Sequence, residues 1–432
     1  MTPAARISAA IEVLADLIER RRPASDALKD WGLSRRFAGS KDRAAIASLV
    51  YDALRRKASS TFVMGAETPR ALVLGMLARV RGMTLEDIAA LFSGENHAPE
   101  PLESEEVDSL VSLSLAGAPD WARADVPEWL WPAFAAGFGT DAVAEGEALA
   151  GRAPIDIRTN RLKTTREALS IELAHAAPEP GPWSPDALRF HPGPDGRGPS
   201  LQSEAAFFGG GFEIQDEGSQ LVTLLAGAAP GQTVIDLCAG AGGKTLALAA
   251  LMENQGRLFA TDLDARRLAP LHERLARSGA SIVEIRIPRS RGHEPLADIE
   301  GQADLVLVDA PCTGSGTWRR NPDAKWRVRP GALAERVKDQ AQVLARAARL
   351  VKPDGRIAYI TCSVLADEND AAITAFLTRN SGFAAIPVPE VLASQQGDFG
   401  PLVRFATTHG VQFSPRRTGT DGFYLACVQR LN

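Results

Sequence analysis

The chain has 432 residues, 45% of them apolar and 23% charged, with a formal net charge of −5. That length exceeds one ordinary domain and suggests two or three, and the composition excludes wholesale disorder. The acidic balance excludes a basic coat for nucleic acid, so any RNA contact must come from local basic patches.

No apolar run approaches the length of a membrane span, and the N-terminus MTPAARISAAIEVLADLIERRR mixes acids and bases through its apolar positions. Neither a signal peptide nor a transmembrane helix is expected, and the expected compartment is the cytoplasm. Four cysteines, Cys238, Cys312, Cys362 and Cys427, lie far apart without a CxxC pair, beside only six histidines. A zinc site, another metal site or a disulfide framework is not expected. Cys238 and Cys427 read as inert core thiols.

Residues 1–140 read as helical. Ile7, Ile11, Leu14, Leu17 and Ile18 recur at helical spacing, and Ile46, Leu49, Val50, Ala53 and Leu54 repeat the pattern after Ser40, an expected N-cap. Gly and Pro punctuation predicts a bundle of short helices. Residues 1–81 carry 15 Lys and Arg against 8 Asp and Glu, an excess of seven, clustered at Arg20 to Arg22, Arg35-Arg36 and Arg55 to Lys57. Such charges are ordinarily solvated helix faces, but the clustering favours phosphate contact by a separable module. Ala98 to Glu106 is Pro- and Glu-rich and is expected to be a flexible connection.

A second piece spans about 145–228. In it Ile155 to Thr159 reads as a strand and Thr164 onward as a helix, followed by a Pro/Gly-rich stretch from Pro178 to Pro199 and an apolar helix from Leu221 to Ala226. From Gly231 strands and helices alternate. Val234 to Leu237 is a buried strand, Gly240, Gly242 and Gly243 form a tight loop, and Thr245 to Met252 is a helix. Strands at Leu258 to Thr261, Ile282 to Ile287, Leu305 to Val308 and Ile357 to Thr361 follow, the last reached through the helix Leu333 to Leu350 and a turn at Lys352 to Gly355. In an open parallel sheet the residues just past neighbouring strand ends share one crevice. That places Asp309, Cys312 and Cys362 in one pocket. Two thiols and an acid there point to nucleophilic chemistry, and spacing alone ranks neither cysteine first.

Three ligands compete for the loop. A dinucleotide fingerprint would need a third glycine where Thr245 stands, and a Walker A loop would need glycine where Cys238 stands, although LVLVD at 305–309 imitates a Walker B strand. S-adenosylmethionine needs only a close glycine turn and an acid for its ribose, which Gly240, Gly242 and Asp262 provide. A nucleoside triphosphatase stays as the rival.

VIDLCAGAGGKT, VDAPCTGSGTWRRNPDAKW, YITCSV and TDGFYLA together resemble the motifs of the Fmu/Sun family of RNA cytosine-5 methyltransferases, over about Ala153 to Asn432. The helical N-terminus with SKDRAAIASLVYDALRR is similar to the NusB-like RNA-binding domain of the bacterial member acting on 16S ribosomal RNA. The resemblance implies an α/β Rossmann-like methyltransferase domain at 229–432, with a mostly parallel doubly wound sheet. A NusB-like all-α domain at 1–140 and a small α+β connecting domain at 145–228 precede it. It implies methyl transfer from S-adenosylmethionine to C5 of a cytosine in RNA, most of all ribosomal RNA. A non-catalytic RNA-binding protein on the same fold is the alternative. By the resemblance Cys362 is the nucleophile, Asp309 binds the cytosine edge around N3, Lys244 helps hold the base, and Cys312 serves release. The cofactor set is Cys238, Ala239, Gly240, Ala241, Gly242, Gly243, Lys244, Asp262 and Asp309. Arg158 and Asn160 match a family Arg-x-Asn element near the active site and by the resemblance join the RNA-binding set, while Arg319, Arg320 and Lys325, with Arg327 and Arg329, suit phosphates beside a flipped cytosine. The sequence departs from the family where an acid should meet the adenine: Arg286-Ile287-Pro288-Arg289 stands there, with Asp298 a distant substitute. The expected partner is RNA, with no membrane and no metal, and the expected state is a monomer.

Overall fold

A computed structural model describes residues 1–193, 196, 198–290, 292–395 and 397–432. Of the Pro/Gly-rich stretch at 178–199, residues 194, 195 and 197 lie outside the described residues. The chain divides into two compact units: Met1–Arg152 with Gly196 and Trp318–Pro330, and Ala153–Gly193 with residues 198–317 and Gly331–Asn432. The expected connecting and methyltransferase pieces fall in one unit. Conversely, the basic stretch after the Cys312 turn belongs to the helical unit.

The first unit is built of helices, as the periodicity predicts. Pro3–Arg20 opens on a Thr2 side chain that accepts from the Ala5 N–H, with Pro3 in the first turn where no N–H is needed. Ser40–Arg55 starts on Gly39 as N-cap, so Ser40 is the first helical residue rather than the cap. The central helix Pro69–Arg79 is buried from Ala71 through Ala78. It accepts a neighbour this close because residue 75 is glycine: a Cβ there would sit 2.7 Å from Ser60 Cβ. Ser104–Ser112 is helical, with a Glu103/Glu106 capping box. The connection expected at 98–106 is thus helical only from Ser104, where the capping box outweighs the Glu-rich composition; residues 98–103 hold no helix or strand.

Most of the excess cations meet carboxylates. Arg6 pairs with Asp42 at 2.8 Å, Arg35 with Glu12 at 2.7 Å, Lys57 with Glu67 at 2.6 Å and Arg70 with Glu106 at 2.7 Å. Buried Asp52 receives Arg81 at 2.7 Å and Arg152 at 2.6 Å. Arg21, Lys29 and Arg36 stay exposed.

Trp318–Pro330 is bound into this unit by specific groups. Trp318 is 1% exposed and stacks on Phe134, with centroids 6.1 Å apart. Trp326 Nε1 donates to the Leu54 carbonyl at 2.7 Å. Lys325 Nζ donates to the carbonyls of Arg55 at 2.9 Å and Asp125 at 2.8 Å. Burial pushes the Lys325 ammonium down to about 7, against the Asp125 charge and with help from Arg56 and Arg55. In the unfolded chain the ordinary value is 10.5. The unfolded state therefore binds more protons between these limits, and stability rises with pH from about 7 to about 10.5. Lys325→Met should remove that rise, read as urea midpoints by tryptophan fluorescence at about pH 6.5, about 8 and about 9.5. A slope kept by the variant would assign it to another group.

The second unit holds two sheets. β1 (Ile155–Thr159), β2 (Glu179–Pro180), β3 (Ala187–Phe190) and β4 (Phe212–Ile214) form an antiparallel sheet in the order β2-β3-β1-β4. The larger sheet contains β5 (Thr233–Asp236), β6 (Arg257–Ala260), β7 (Val283–Ile285), β8 (Ala303–Asp309), β9 (Val351–Thr361), β10 (Phe383–Ala385), β11 (Val411–Gln412) and β12 (Tyr424–Arg430). Its order is β10-β12-β9-β8-β5-β6-β7, with β11 paired to β12. β7, β6, β5, β8 and β9 run parallel, while β12 is antiparallel to β9 and β10. The central strands β5, β6 and β8 carry buried apolar runs, as parallel strands covered on both faces do. The turn at Lys352 to Gly355 is a register shift: Ala303 pairs with Val351, but Leu305 pairs with Arg356. The chain leaves β5 toward β6 and β7, then returns on the other side through β8 and β9. Strand order reverses between β5 and β8, which is where such sheets open a ligand crevice at their carboxyl ends.

Candidate active site

The loop after β5 turns through glycines with left-handed backbone, Gly240 at φ 51° and Gly242 at φ 86°. At Gly242 a Cβ would lie 2.2 Å from Leu271 Cδ1, so no side chain fits. The loop folds back by a bond from the Gly242 N–H to the Ala239 carbonyl at 2.8 Å, and the helix Gly243–Leu251 begins there. Asp262, just past β6, is buried and accepts from the Gly240 N–H at 3.1 Å, the Asp264 N–H at 3.0 Å and Arg267 at 2.9 Å. Two of these bonds hold the acid at the loop. The third comes from an exposed guanidinium, 59% accessible, which a ribose could replace. The glycine turn and this acid fit an adenosyl ligand.

Asp236, at the end of β5, lies beneath the loop and was not singled out from sequence because a strand-end acid looks ordinary. It accepts from Thr245 Oγ1 at 2.7 Å. Burial pushes its carboxyl up to about 7, with Thr245 opposing and Asp309 reinforcing. Burial likewise pushes the Cys238 and Cys427 thiols up, Cys427 to about 12, in keeping with inert thiols.

The structure brings the two cysteines of the strand ends together: Cys312 Sγ and Cys362 Sγ are 3.3 Å apart. Lys244 Nζ lies 2.7 Å from Asp309 Oδ2 and 5.3 Å from the centroid of Phe423. Burial works against the Lys244 charge, but Asp309 and then Cys362 outweigh it and hold the ammonium above its ordinary value. The hydrogen bond to Cys362, burial and the nearby Cys362 and Glu368 charges hold the Cys312 thiol well above its usual range. Either sulfur can donate in this pair.

Backbone geometry fixes both turns. The Gly316 N–H donates to the Cys362 carbonyl at 3.0 Å, and Ser315 Oγ meets Ser363 Oγ at 3.0 Å. Gly316 and Gly422 touch so closely that a Cβ on Gly316 would lie 1.9 Å from the Gly422 oxygen. The TDG motif thus packs backbone to backbone against the cysteine turn.

Several expected RNA contacts are placed elsewhere. Asn160 is buried, and its amide donates to the carbonyls of Gly210 and Ser278, both at 2.8 Å. It ties backbone segments together instead of facing RNA. Arg158 is buried too, donating to Gln215 and to the Gly243 carbonyl at 2.8 Å, and burial lowers it to about 10. Arg319 and Lys325 are buried, so the ammonium of Lys325 does not meet solvent phosphate; Arg320 is half-buried, and Arg327 and Arg329 are exposed. Asp298 pairs with Arg286 at 3.2 Å.

The parallel sheet with its reversal at β5 and β8, the glycine turn and the strand-end acids define a Rossmann-like methyltransferase fold. Residues 222–429 match the family model of the 16S rRNA methyltransferase RsmB/F, and residues 126–194 match the ferredoxin-like domain of RsmF/B-like methyltransferases. The chain belongs to the RsmB/F methyltransferase family. It is 34% identical over 304 residues to ribosomal RNA small subunit methyltransferase B of Sodalis glossinidius, covering 69% of this chain and 64% of that protein. It is 34% identical over 283 residues to the protein of that name from Erwinia tasmaniensis, covering 64% and 59%. The match thus spans less than two thirds of these relatives' own length. The crystal structure of PH0851 superposes with a TM-score of 0.72 and 26% identity, covering 100% of this chain and 99% of that chain. NSun6 from Pyrococcus horikoshii with SFG shares the fold at a TM-score of 0.59 and 21% identity, covering 71% and 98%. Among the described residues no helix is long and apolar enough to cross a membrane.

Proposed function

We propose that the protein methylates C5 of a cytosine in RNA, with small-subunit ribosomal RNA as the substrate that its relatives' names suggest. The observation that carries this reading is the pair of thiols 3.3 Å apart, beside the Lys244 and Asp309 pair in the crevice. C5 of cytosine is a weak nucleophile. Addition of the Cys362 sulfur to C6 forms an S–C6 bond and pushes the ring electrons toward N3 and C5, so that C5 can attack. S-adenosylmethionine supplies the methyl group on a sulfonium. Lys244 and Asp309 face the cytosine edge and stabilise the charge that builds around N3 during addition. Water then takes the C5 proton, the C–H electron pair re-forms the C5=C6 bond, and the S–C6 bond breaks with its pair returning to the Cys362 sulfur, Cys312 assisting release.

The glycine loop Cys238 to Gly243 and Asp262 hold the cofactor in this reading, with Lys244 and Asp309 at its reactive end. The helical character of the first unit supports a NusB-like RNA-binding role, with exposed Arg21, Lys29, Arg36, Arg327 and Arg329 available to phosphates.

Calorimetry tests the cofactor assignment. The protein should bind S-adenosylmethionine and not ATP. Asp262→Ala should weaken binding by about tenfold to a hundredfold, the loss of charge-assisted hydrogen bonds worth about 1.5–3 kcal/mol. Magnesium-dependent ATP binding without S-adenosylmethionine binding would replace this reading with a nucleotide hydrolase.

A further inference from the structure

Glu368 has no part in the chemistry above, yet it is wholly buried beside the cysteine turn. Its Oε1 accepts from the Thr313 N–H at 2.8 Å and from Gln340 Nε2 at 3.1 Å, and its Oε2 accepts from Thr313 Oγ1 at 2.6 Å. Gln340 also donates to the Pro311 carbonyl at 3.0 Å. The residues on both sides of Cys312 are therefore fastened to one carboxylate, directly or through Gln340. The Glu368 backbone is itself anchored, because its carbonyl accepts from the Tyr359 hydroxyl at 2.7 Å. All three partners of the carboxylate, one backbone N–H and two side chains, donate, the pattern an ionised carboxylate takes.

We propose that Glu368 is a positioning residue that keeps Cys312 in the thiol form and so leaves Cys362 as the sulfur that attacks. The inference rests on the proposed role of Cys362. Two nearby thiols present an enzyme with a choice that adjacency alone does not make, since either can be donor or acceptor. A carboxylate fastened to the Cys312 turn makes the choice: it opposes a second negative charge at Cys312. The titratable groups around Cys312 agree. The hydrogen bond to Cys362 at the end of β9, burial and the Glu368 carboxylate all disfavour a thiolate there, while a backbone bond at Gly314 works the other way. On the Cys362 side stands the cation of Lys244, from the helix after the glycine loop, with Asp309 as its partner. A thiolate is thereby opposed on Cys312.

The test needs neither RNA nor cofactor, so its outcome is independent of whether the protein methylates anything. The full-length protein is exposed to iodoacetamide across a pH series, and labelling of each cysteine is followed by peptide mass spectrometry. In the natural protein Cys362 should label at lower pH than Cys312. Glu368→Gln keeps the shape and removes the charge; it should raise Cys312 labelling at mildly alkaline pH by about tenfold, because the thiolate is the reacting form. Thr313→Val removes one hydrogen bond but keeps the carboxylate, and should leave the Cys312 profile in place. An unchanged Cys312 profile in folded Glu368→Gln overturns the proposal, as does an equal shift in Thr313→Val, which would make Glu368 an anchor alone. Should Glu368→Gln fail to fold, the order in the natural protein decides: Cys312 labelling before Cys362 overturns it. A protein that labels as expected yet transfers no methyl group refutes the proposed function and not this assignment.

Discussion

Cys362→Ala is expected to bind RNA and S-adenosylmethionine, form no covalent adduct and make no product, whereas Cys312→Ala is expected to stay joined to its RNA after one methyl transfer. The two variants fail on opposite sides of the S–C6 bond, one before it forms and the other before it breaks. The geometry gives the reason for the asymmetry. The Glu368 carboxylate is fastened to the Cys312 turn, and the Lys244 ammonium interacts with Cys362. Loss of the nucleophile should cost at least about a thousandfold in turnover, the scale seen when a covalent catalyst is removed. A denaturing gel with labelled RNA and cofactor reads both results together: a slow band for Cys312→Ala and none for Cys362→Ala. The reverse pattern would make Cys312 the nucleophile and sink the division of roles.

Removing residues 1–140 is expected to do more than weaken RNA binding. The sequence suggests a separable basic module, but Trp318, Lys325 and Trp326 find their partners within it: Phe134, the Arg55 and Asp125 carbonyls, and the Leu54 carbonyl. Stripped of them, the shortened chain exposes two indoles and an unsupported lysine directly downstream of the Cys312 turn. Each tryptophan losing its burial costs on the order of 3–5 kcal/mol, the scale of a Trp→Ala change. The truncated chain should therefore melt at lower temperature, bind a hydrophobic dye and form little adduct. Melting at the full-length temperature with unaltered S-adenosylmethionine affinity would show that 318–330 folds without these partners.

Sequence reasoning located β5, β6, β8 and β9 because each is a run of apolar residues ending in an acid or a thiol, a pattern that buried parallel strands impose. It also gathered Asp309, Cys312 and Cys362, since strand ends in such a sheet meet wherever loops lead. Lys325 was misplaced for a physical reason: a lysine in a basic run looks solvated, and only tertiary structure supplies the two carbonyls that bury it. Asn160 was misassigned similarly, because an amide that joins distant backbone segments leaves no local pattern. Glu368 was missed because ADEND reads as the acidic first turn of a surface helix, and its bonds reach back 55 residues to Thr313. The strands β10 and β11 were not marked out because they are only three and two residues long, and β12 entered only through the TDGFYLA motif. The capped helix at Ser104 was hidden by its neighbouring prolines.

The place of β12 between β9 and β10 bears on how the protein is made. A nascent chain that has emerged as far as Asn380 already carries the glycine loop and both thiols, yet β9 is then an open edge with nothing paired on its far side. The Gly422 backbone that packs against Gly316, and the Phe423 ring beside Lys244, are also still missing. Synthesis thus delivers the reactive sulfurs well before it delivers their enclosure. Until β12 inserts, the unfinished sheet offers an unpaired apolar edge to other chains, and the interval between residues 380 and 430 is when aggregation is most exposed.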